Sequence, residues 1–183
     1  MILGLIVARG GSKRLPGKNL RELGGRTLVG WAIDAARRSA WLDEVALTSD
    51  DDAILRVAFE EAVRPIRRPL DLARDDSRIY GAILHALTVV SADHVVLLQP
   101  TSPLRTADDI DGCVALAMDS GKPSQSWCDG IANGAVYVGS SEWLRAGGNW
   151  DHDPAVLKYM MPAERSIDIN TIEDFEAAEG LVG

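Results

Sequence analysis

Apolar residues in this chain recur in two patterns. Ile2–Val7 and His94–Leu98 are short, branched runs without polar alternation, the signature of strands buried on both faces of a parallel sheet. Elsewhere the spacing is helical. Leu28, Trp31, Ile33 and Ala35 predict an amphipathic helix over Thr27–Arg38, with Arg37 and Arg38 suited to its carboxyl end. Glu44–Ser49 reads as the next strand, and Asp50–Asp52 opens a helix to about Ala62. Asp51 and Asp52 read as helix-start carboxylates rather than metal ligands. Pro65 confines a short strand at Arg64–Arg67 to the sheet margin. Further helices are predicted from about Arg78 to Val90, from a Thr106 cap to about Ser120 with Asp108 and Asp109 in the first turn, and over Ser140–Ala146. Ser166–Thr171 reads as a strand, followed by a final helix, Ile172–Leu181, capped by Thr171. This alternation predicts an α/β fold with three α/β/α layers and a mostly parallel sheet, as one domain over 1–183.

The polar segments fall at strand carboxyl ends, where open α/β sheets bind ligands. Ala8–Asn19 carries Gly10, Gly11, Gly17 and Pro16 with the cations Arg9, Lys13, Arg14 and Lys18. It reads as a phosphate cradle; the plainer alternative is a solvated basic loop after an edge strand. A P-loop is disfavoured, because five residues separate Gly11 from Gly17 and Asn19 follows the lysine. Arg68–Ser77 is too polar for a regular element, and Asp75 and Asp76 suit a helix cap as well as a ligand loop. Pro100 and Pro103 hold Gln99–Arg105 open, so Gln99, Thr101 and Ser102 can project across the sheet edge. Strand period two would put Asp168 and Asn170 on one face, with Ile167 and Ile169 toward the core, giving paired oxygen ligands for a hard cation.

Composition narrows the partners. The formal net charge of −8 over 183 residues argues against a nucleic-acid surface, so a polyanionic ligand must meet local cations. Cys113 and Cys128 lack disulfide or metal spacing, and Cys113 sits in a core-like pattern. His85, His94 and His152 are scattered and none is a catalytic candidate. Trp143 and Trp150 read as packing before sugar stacking. The apolar start lacks a charged leader or cleavage site, and no membrane span is predicted, which points to a cytoplasmic protein.

Taken in order, A-R-G-G-S-K-R-L-P-G-K-N from Ala8, L-G-G-R-T-L from Leu23, R-P-x-x-L-A-x-D from Arg68, Q-P-T-S-P-L-R from Gln99, N-G-A-V-Y-V from Asn133 and S-I-D-I-N from Ser166 resemble the acylneuraminate cytidylyltransferase (CMP-sialic acid synthetase) family. The resemblance implies a Rossmann-like nucleotidyltransferase of the nucleotide-diphospho-sugar transferase type. Its reaction is attack of an acidic-sugar hydroxyl on the α-phosphate of CTP, with pyrophosphate leaving. It implies catalytic roles for Arg9, Lys18 and Asp168. Nucleotide contacts are implied at Ala8, Arg9, Gly10, Gly11, Ser12, Lys18, Asn19, Arg68 and Ser77, with backbone N–H groups of the Gly10–Gly11 turn assisting at the phosphates. Acceptor contacts are implied at Gln99, Thr101, Ser102 and Asn133, and Mg2+ at Asp168 and Asn170. Two departures stand out: Asn170 replaces the family's second aspartate, and the family's acceptor and dimerisation insertion is shortened near 121–132. A homodimer stays open, as do cytidylyl transfer to another small acidic or phosphorylated acceptor and a non-catalytic nucleotide-binding role.

Overall fold

In the computed structural model, which describes residues 1–74 and 77–182, the first apolar run becomes β1 (Ile2–Val7) at the middle of a seven-stranded sheet. Asp75, Asp76 and Gly183 lie outside the described residues, and with them the cap reading of Asp75 and Asp76. After β1 come a small hairpin of β2 (Glu22–Leu23) and β3 (Arg26–Thr27), α1 (Leu28–Arg38), β4 (Glu44–Ser49), α2 (Asp52–Glu60), β5 (Arg64–Arg67), α3 (Ile79–Val89) and β6 (His94–Leu98). The second half contains α4 (Ala107–Ser120), β7 (Ser124–Cys128), β8 (Ile131–Ser140), α5 (Ser141–Arg145), β9 (Leu157–Met160) and α6 (Ile172–Val182). The strand order is β5-β4-β1-β6-β8-β7-β9; β8 alone runs against its neighbours, so the sheet is mostly parallel. Pro65 lies on the edge strand β5, where its missing N–H costs no ladder bond.

Side chains of β1 alternate between two cores. Leu3 and Leu5 pack with Ile83, Leu87 and Leu97 on the α3–α5 side, and Ile6 packs with Val29, Ile33, Ile54 and Ile110 on the α1–α2–α4 side. This is the predicted three-layer α/β/α arrangement. Trp150 is a core residue: its ring stacks on Tyr80 at 5.4 Å and its Nε1 donates to the Val138 carbonyl at 2.9 Å. The caps at Asp51 and Thr106 fall where the sequence puts them, and Thr27, expected as the first helical residue, caps α1. Thr27 Oγ1 accepts from Gly30 N, Asp51 Oδ1 from Ala53 N and Ile54 N, and Thr106 and Asp109 form a reciprocal capping box. Asp52 pairs with Arg67. Among the described residues no helix is long and apolar enough to cross a membrane.

Three elements differ from the expectation. Ser166–Thr171 is not a strand: residues 166–170 belong to no regular element, yet Ile169 is fully buried and Asp168 exposed, so the two alternate as expected without a partner strand. The stretch near 121–132, expected to be a shortened insertion, includes β7 joined to β8 through Asp129 (φ 48°) and Gly130 (φ 85°), a two-residue turn with both residues left-handed. Ser140 ends β8 and caps α5 rather than starting the helix.

Candidate active site

Loops from the carboxyl ends of β1, β4, β5 and β6 meet on one rim of the sheet. The basic loop is fixed from below. Asp50, one residue beyond β4, accepts from Gly10 N at 3.1 Å and pairs with Arg68 Nη2 at 3.4 Å, and the same Nη2 donates to the Ala8 carbonyl at 3.0 Å. A Cβ on Gly10 would lie 2.6 Å from Asp51 Oδ2, so only glycine lets the loop press onto the start of α2. Asn19 is buried and donates through Nδ2 to the Arg9 carbonyl at 2.8 Å. Gly17 (φ 66°) makes the left-handed turn that starts the 3-10 turn at Lys18, and Lys18 Nζ reaches the Ile169 carbonyl at 2.8 Å.

These bonds refine the expected roles. The Gly10 N–H is occupied by Asp50, and the Ser12 N–H by the Gly10 carbonyl at 3.0 Å, so neither is open to phosphate in this form. Arg68 is 4% exposed and braces the loop, while its Nε has no partner among the described residues and it lines the nucleotide-sized cavity. Ala8 acts through its backbone. Ser77 Oγ donates to the Asp71 carbonyl at 2.7 Å, closing the second loop.

Three adjoining cavities open on this rim. One of about 300 Å³ is walled by Arg9, Lys18, Asn19, Arg68, Ser77, Gln99, Thr101 and Asn170. A second, about 370 Å³, is cationic, with Arg9, Ser12, Lys13, Arg14 and Lys18, and shares Asn170 with the first. A third, about 580 Å³, lies across the ridge and holds Asn133, Gly134, Tyr137 and Asp168, with Gln99 common to it and the first. Gln99 and the Asp168–Asn170 segment therefore stand between the two sides. Burial lowers the pKa of Lys18, with Arg14 and Arg9 acting in the same direction and Asp168 and Asp174 opposing. Burial also pushes the Tyr137 hydroxyl up to about 12, which keeps it a neutral hydrogen-bonding group in the third cavity.

Asn170 Nδ2 donates to Asp168 Oδ2 at 2.7 Å, so its amide nitrogen steadies the carboxylate. Among the expected acceptor contacts, Gln99 lines the ridge. Thr101 supplies its carbonyl to Ile169 N at 2.8 Å, and its Oγ1 has no partner among the described residues. Ser102 is fully buried and also unpartnered there. Asn133 is spent on protein: Oδ1 accepts from Ser126 Oγ at 2.6 Å and Ala135 N at 3.2 Å, while Nδ2 donates to Ser166 Oγ at 2.9 Å.

Sequence reasoning overlooked Asp50, although an acid one residue past a strand beside β1 sits at a ligand-binding rim. It also overlooked Arg105, which burial pushes down to about 9 and whose Nη1 donates to the carbonyls of Gln99 (2.6 Å) and Ala135 (3.0 Å), tying β6 to β8 beneath the ridge.

Compared with known proteins, residues 3–147 match the family model described as Cytidylyltransferase. A CMP-N,N'-diacetyllegionaminic acid synthase of Legionella pneumophila is 30% identical over 222 aligned positions, covering 99% of this chain and 96% of the relative. About 40 of those positions have no counterpart here. An N-acylneuraminate cytidylyltransferase of Escherichia coli is 28% identical over 97% of this chain, which spans about half (51%) of that protein. Among solved structures, a CMP:2-keto-3-deoxy-manno-octonic acid synthetase complexed with CTP superposes at a TM-score of 0.79 with 15% identity, over 98% of this chain and 97% of its own, a likeness of fold.

Proposed function

The chain belongs to the cytidylyltransferase family, and we propose that it couples CTP to the hydroxyl of an acidic sugar, a nonulosonate, giving the CMP-sugar and pyrophosphate. The observation that carries this reading is the shared ridge. Gln99 and the Asp168–Asn170 segment border both a cation-lined nucleotide side and a separate acceptor-side cavity, as transfer of one group between two substrates requires. The Legionella relative supports a nonulosonate, and the Escherichia coli relative an acylneuraminate.

In this reading Arg9 and Lys18 neutralise the phosphates, and the lysine is aimed by its bond to the Ile169 carbonyl. Asn19 holds the Arg9 backbone, and so the shape of the loop, while Arg68 and the neighbourhood of Ser77 line the side that takes the base and ribose. Gln99 orients the acceptor hydroxyl toward the α-phosphate. The donor set fits Mg2+ in the manner usual for phosphate substrates, one or two protein oxygens plus phosphate oxygens. Asp168 offers an exposed carboxylate with Oδ2 held by Asn170, and among the described residues no group of three or more acids, cysteines or histidines could hold a metal. Bound there, Mg2+ would neutralise charge and acidify the attacking hydroxyl. CTP as the donor supports a cytoplasmic setting.

The test is divalent-dependent pyrophosphate release with CTP, against UTP, ATP and GTP, over a panel of N,N'-diacetyllegionaminate, pseudaminate, N-acetylneuraminate and Kdo. Release with CTP and a nonulosonate alone supports the reading. Release only with the smaller acid Kdo would move the acceptor class, and CTP binding without release for any acceptor would leave a nucleotide-binding protein.

A further inference from the structure

The segment that carries Asp168 lacks what a sheet strand would give it, a ladder of backbone bonds on each side. It runs from β9 to α6 beside the acceptor cavity, and its placement falls to side chains of α4 and β8, the Lys18 ammonium on the Ile169 carbonyl, and the Thr101 backbone carbonyl. At its start, the Arg165 guanidinium forks onto Asp109, with Nε to Oδ2 at 2.9 Å and Nη2 to Oδ1 at 2.8 Å. Asp109 is fully buried in the first turn of α4, and its Oδ2 also accepts from Thr106 N and Thr106 Oγ1, each at 2.9 Å, so the anchor is itself fixed. One residue on, Ser166 Oγ accepts from Asn133 Nδ2 at 2.9 Å and donates to the Pro162 carbonyl at 2.8 Å. Beyond Asp168, the Ile169 amide donates to the Thr101 carbonyl at 2.8 Å.

We propose that Asp109, Arg165 and Asn133 are positioning residues, a side-chain clamp that substitutes for strand pairing and fixes Asp168 on the ridge between the two substrate cavities. The proposal rests on the reading of Asp168 as the reaction-side carboxylate. Its physical basis is precision. A planar two-bond fork fixes both direction and distance, which one ammonium contact does not. A reacting group displaced by about 1 Å can lose on the order of 100-fold in rate. The clamp also explains why Asn133, although it lines the acceptor cavity, has both ends of its amide engaged by protein.

The experiment compares Arg165→Met, Arg165→Lys and Ser166→Ala with the unaltered chain, by hydrogen exchange of the peptide spanning 162–171 and by Mn2+ titration of CTP-dependent turnover. Expected for Arg165→Met is exchange about tenfold faster in that peptide, with β1 and β6 unchanged. Its Mn2+ half-saturation should rise about 10- to 100-fold, as for other residues that orient a metal ligand, while KM for CTP stays within about twofold. Arg165→Lys should fall between. Ser166→Ala, which leaves the fork intact, should loosen the same peptide less, and it carries the test if Arg165→Met does not fold. Unchanged exchange in the folded variants overturns the clamp. Faster exchange with unchanged Mn2+ half-saturation and kcat overturns its role in positioning Asp168. If the unaltered chain turns over no acceptor, the functional reading fails, and the clamp is decided by exchange and direct Mn2+ binding.

Discussion

Asn170→Asp converts a hydrogen bond into a repulsion, and the size of that change can be worked from the site. The amide donates to Asp168 Oδ2 at 2.7 Å, on a side chain open to water. Losing an exposed bond of this kind costs about 1 kcal/mol. Two carboxylates about 4 Å apart repel by about 1 kcal/mol in water-like surroundings and about 4 kcal/mol near a protein surface; the exposure of Asp168 and the charge of nearby Lys18 favour the low end. Without metal the variant should therefore be about 1–2 kcal/mol less stable, a melting temperature roughly 3–6 °C lower for a chain of this size. A bound divalent cation reverses the sign, because the second carboxylate becomes a charged ligand. The variant's half-saturation should fall at least about tenfold, and each tenfold gain in affinity returns about 1.4 kcal/mol at saturating metal. The assay is thermal unfolding in chelator and in excess Mg2+, alongside Mg2+ titration of turnover. Equal melting temperatures in chelator together with an unchanged half-saturation would refute the reasoning and remove residue 170 from the metal's neighbourhood.

Other expectations concern the nucleotide loop and the core. Lys18→Met should raise KM for CTP about 10- to 100-fold, the value of a charge-assisted bond to phosphate. Because the Lys18 pKa is lowered, its positive charge is present at low pH and lost as pH rises through that lowered value. The kcat/KM for CTP should therefore decline on the alkaline side below the range of an ordinary lysine, and Lys18→Arg should abolish that limb; an identical profile in the arginine variant would count against the assignment. Gly10→Ala drives a methyl against Asp51, which caps α2; a cap loss of about 1 kcal/mol predicts a melting temperature roughly 2–4 °C lower and weaker CTP binding, and an unaltered variant would mean the loop is not seated on α2. Burial pushes the Cys113 thiol up to about 12, so iodoacetamide at about pH 8 should leave it unmodified until the protein unfolds; rapid native labelling would contradict its packing.

The parallel half of the sheet was legible because β1, β4 and β6 are apolar on both faces and each leads into a capped helix. The far half was not. β7 reads Ser-Gln-Ser-Trp-Cys, and its serines are buried yet bonded, Ser124 Oγ to the Cys113 carbonyl at 2.7 Å and Ser126 Oγ to Asn133 at 2.6 Å. Hydrophobic periodicity cannot reveal a strand whose buried positions are polar. The Asp129–Gly130 pair was the available hairpin signal there. At the site, residue types identified the loops that converge. Which atoms remain open depends on contacts between residues far apart in the chain: Asp50 takes the Gly10 amide, Ser126 and Ser166 take both ends of Asn133, and Asp168 takes the Asn170 amide. The period-two reading of Ser166–Thr171 succeeded for Asp168 and Ile169 and failed for the element, because Ile169 is buried against Leu23, Leu28 and Phe175, and its amide bonds to the Thr101 carbonyl, with no neighbouring strand.

The central claim is transfer of a cytidylyl group across the ridge formed by Gln99, Asp168 and Asn170. The most direct test is incubation with CTP labelled at its α-phosphate, N,N'-diacetyllegionaminate and Mg2+, followed by chromatography of the products. Label is expected in a CMP-sugar, in amount equal to the pyrophosphate released, with loss of both in Asp168→Ala. Label remaining in CTP across the whole nonulosonate panel, or appearing only in free CMP, would contradict it.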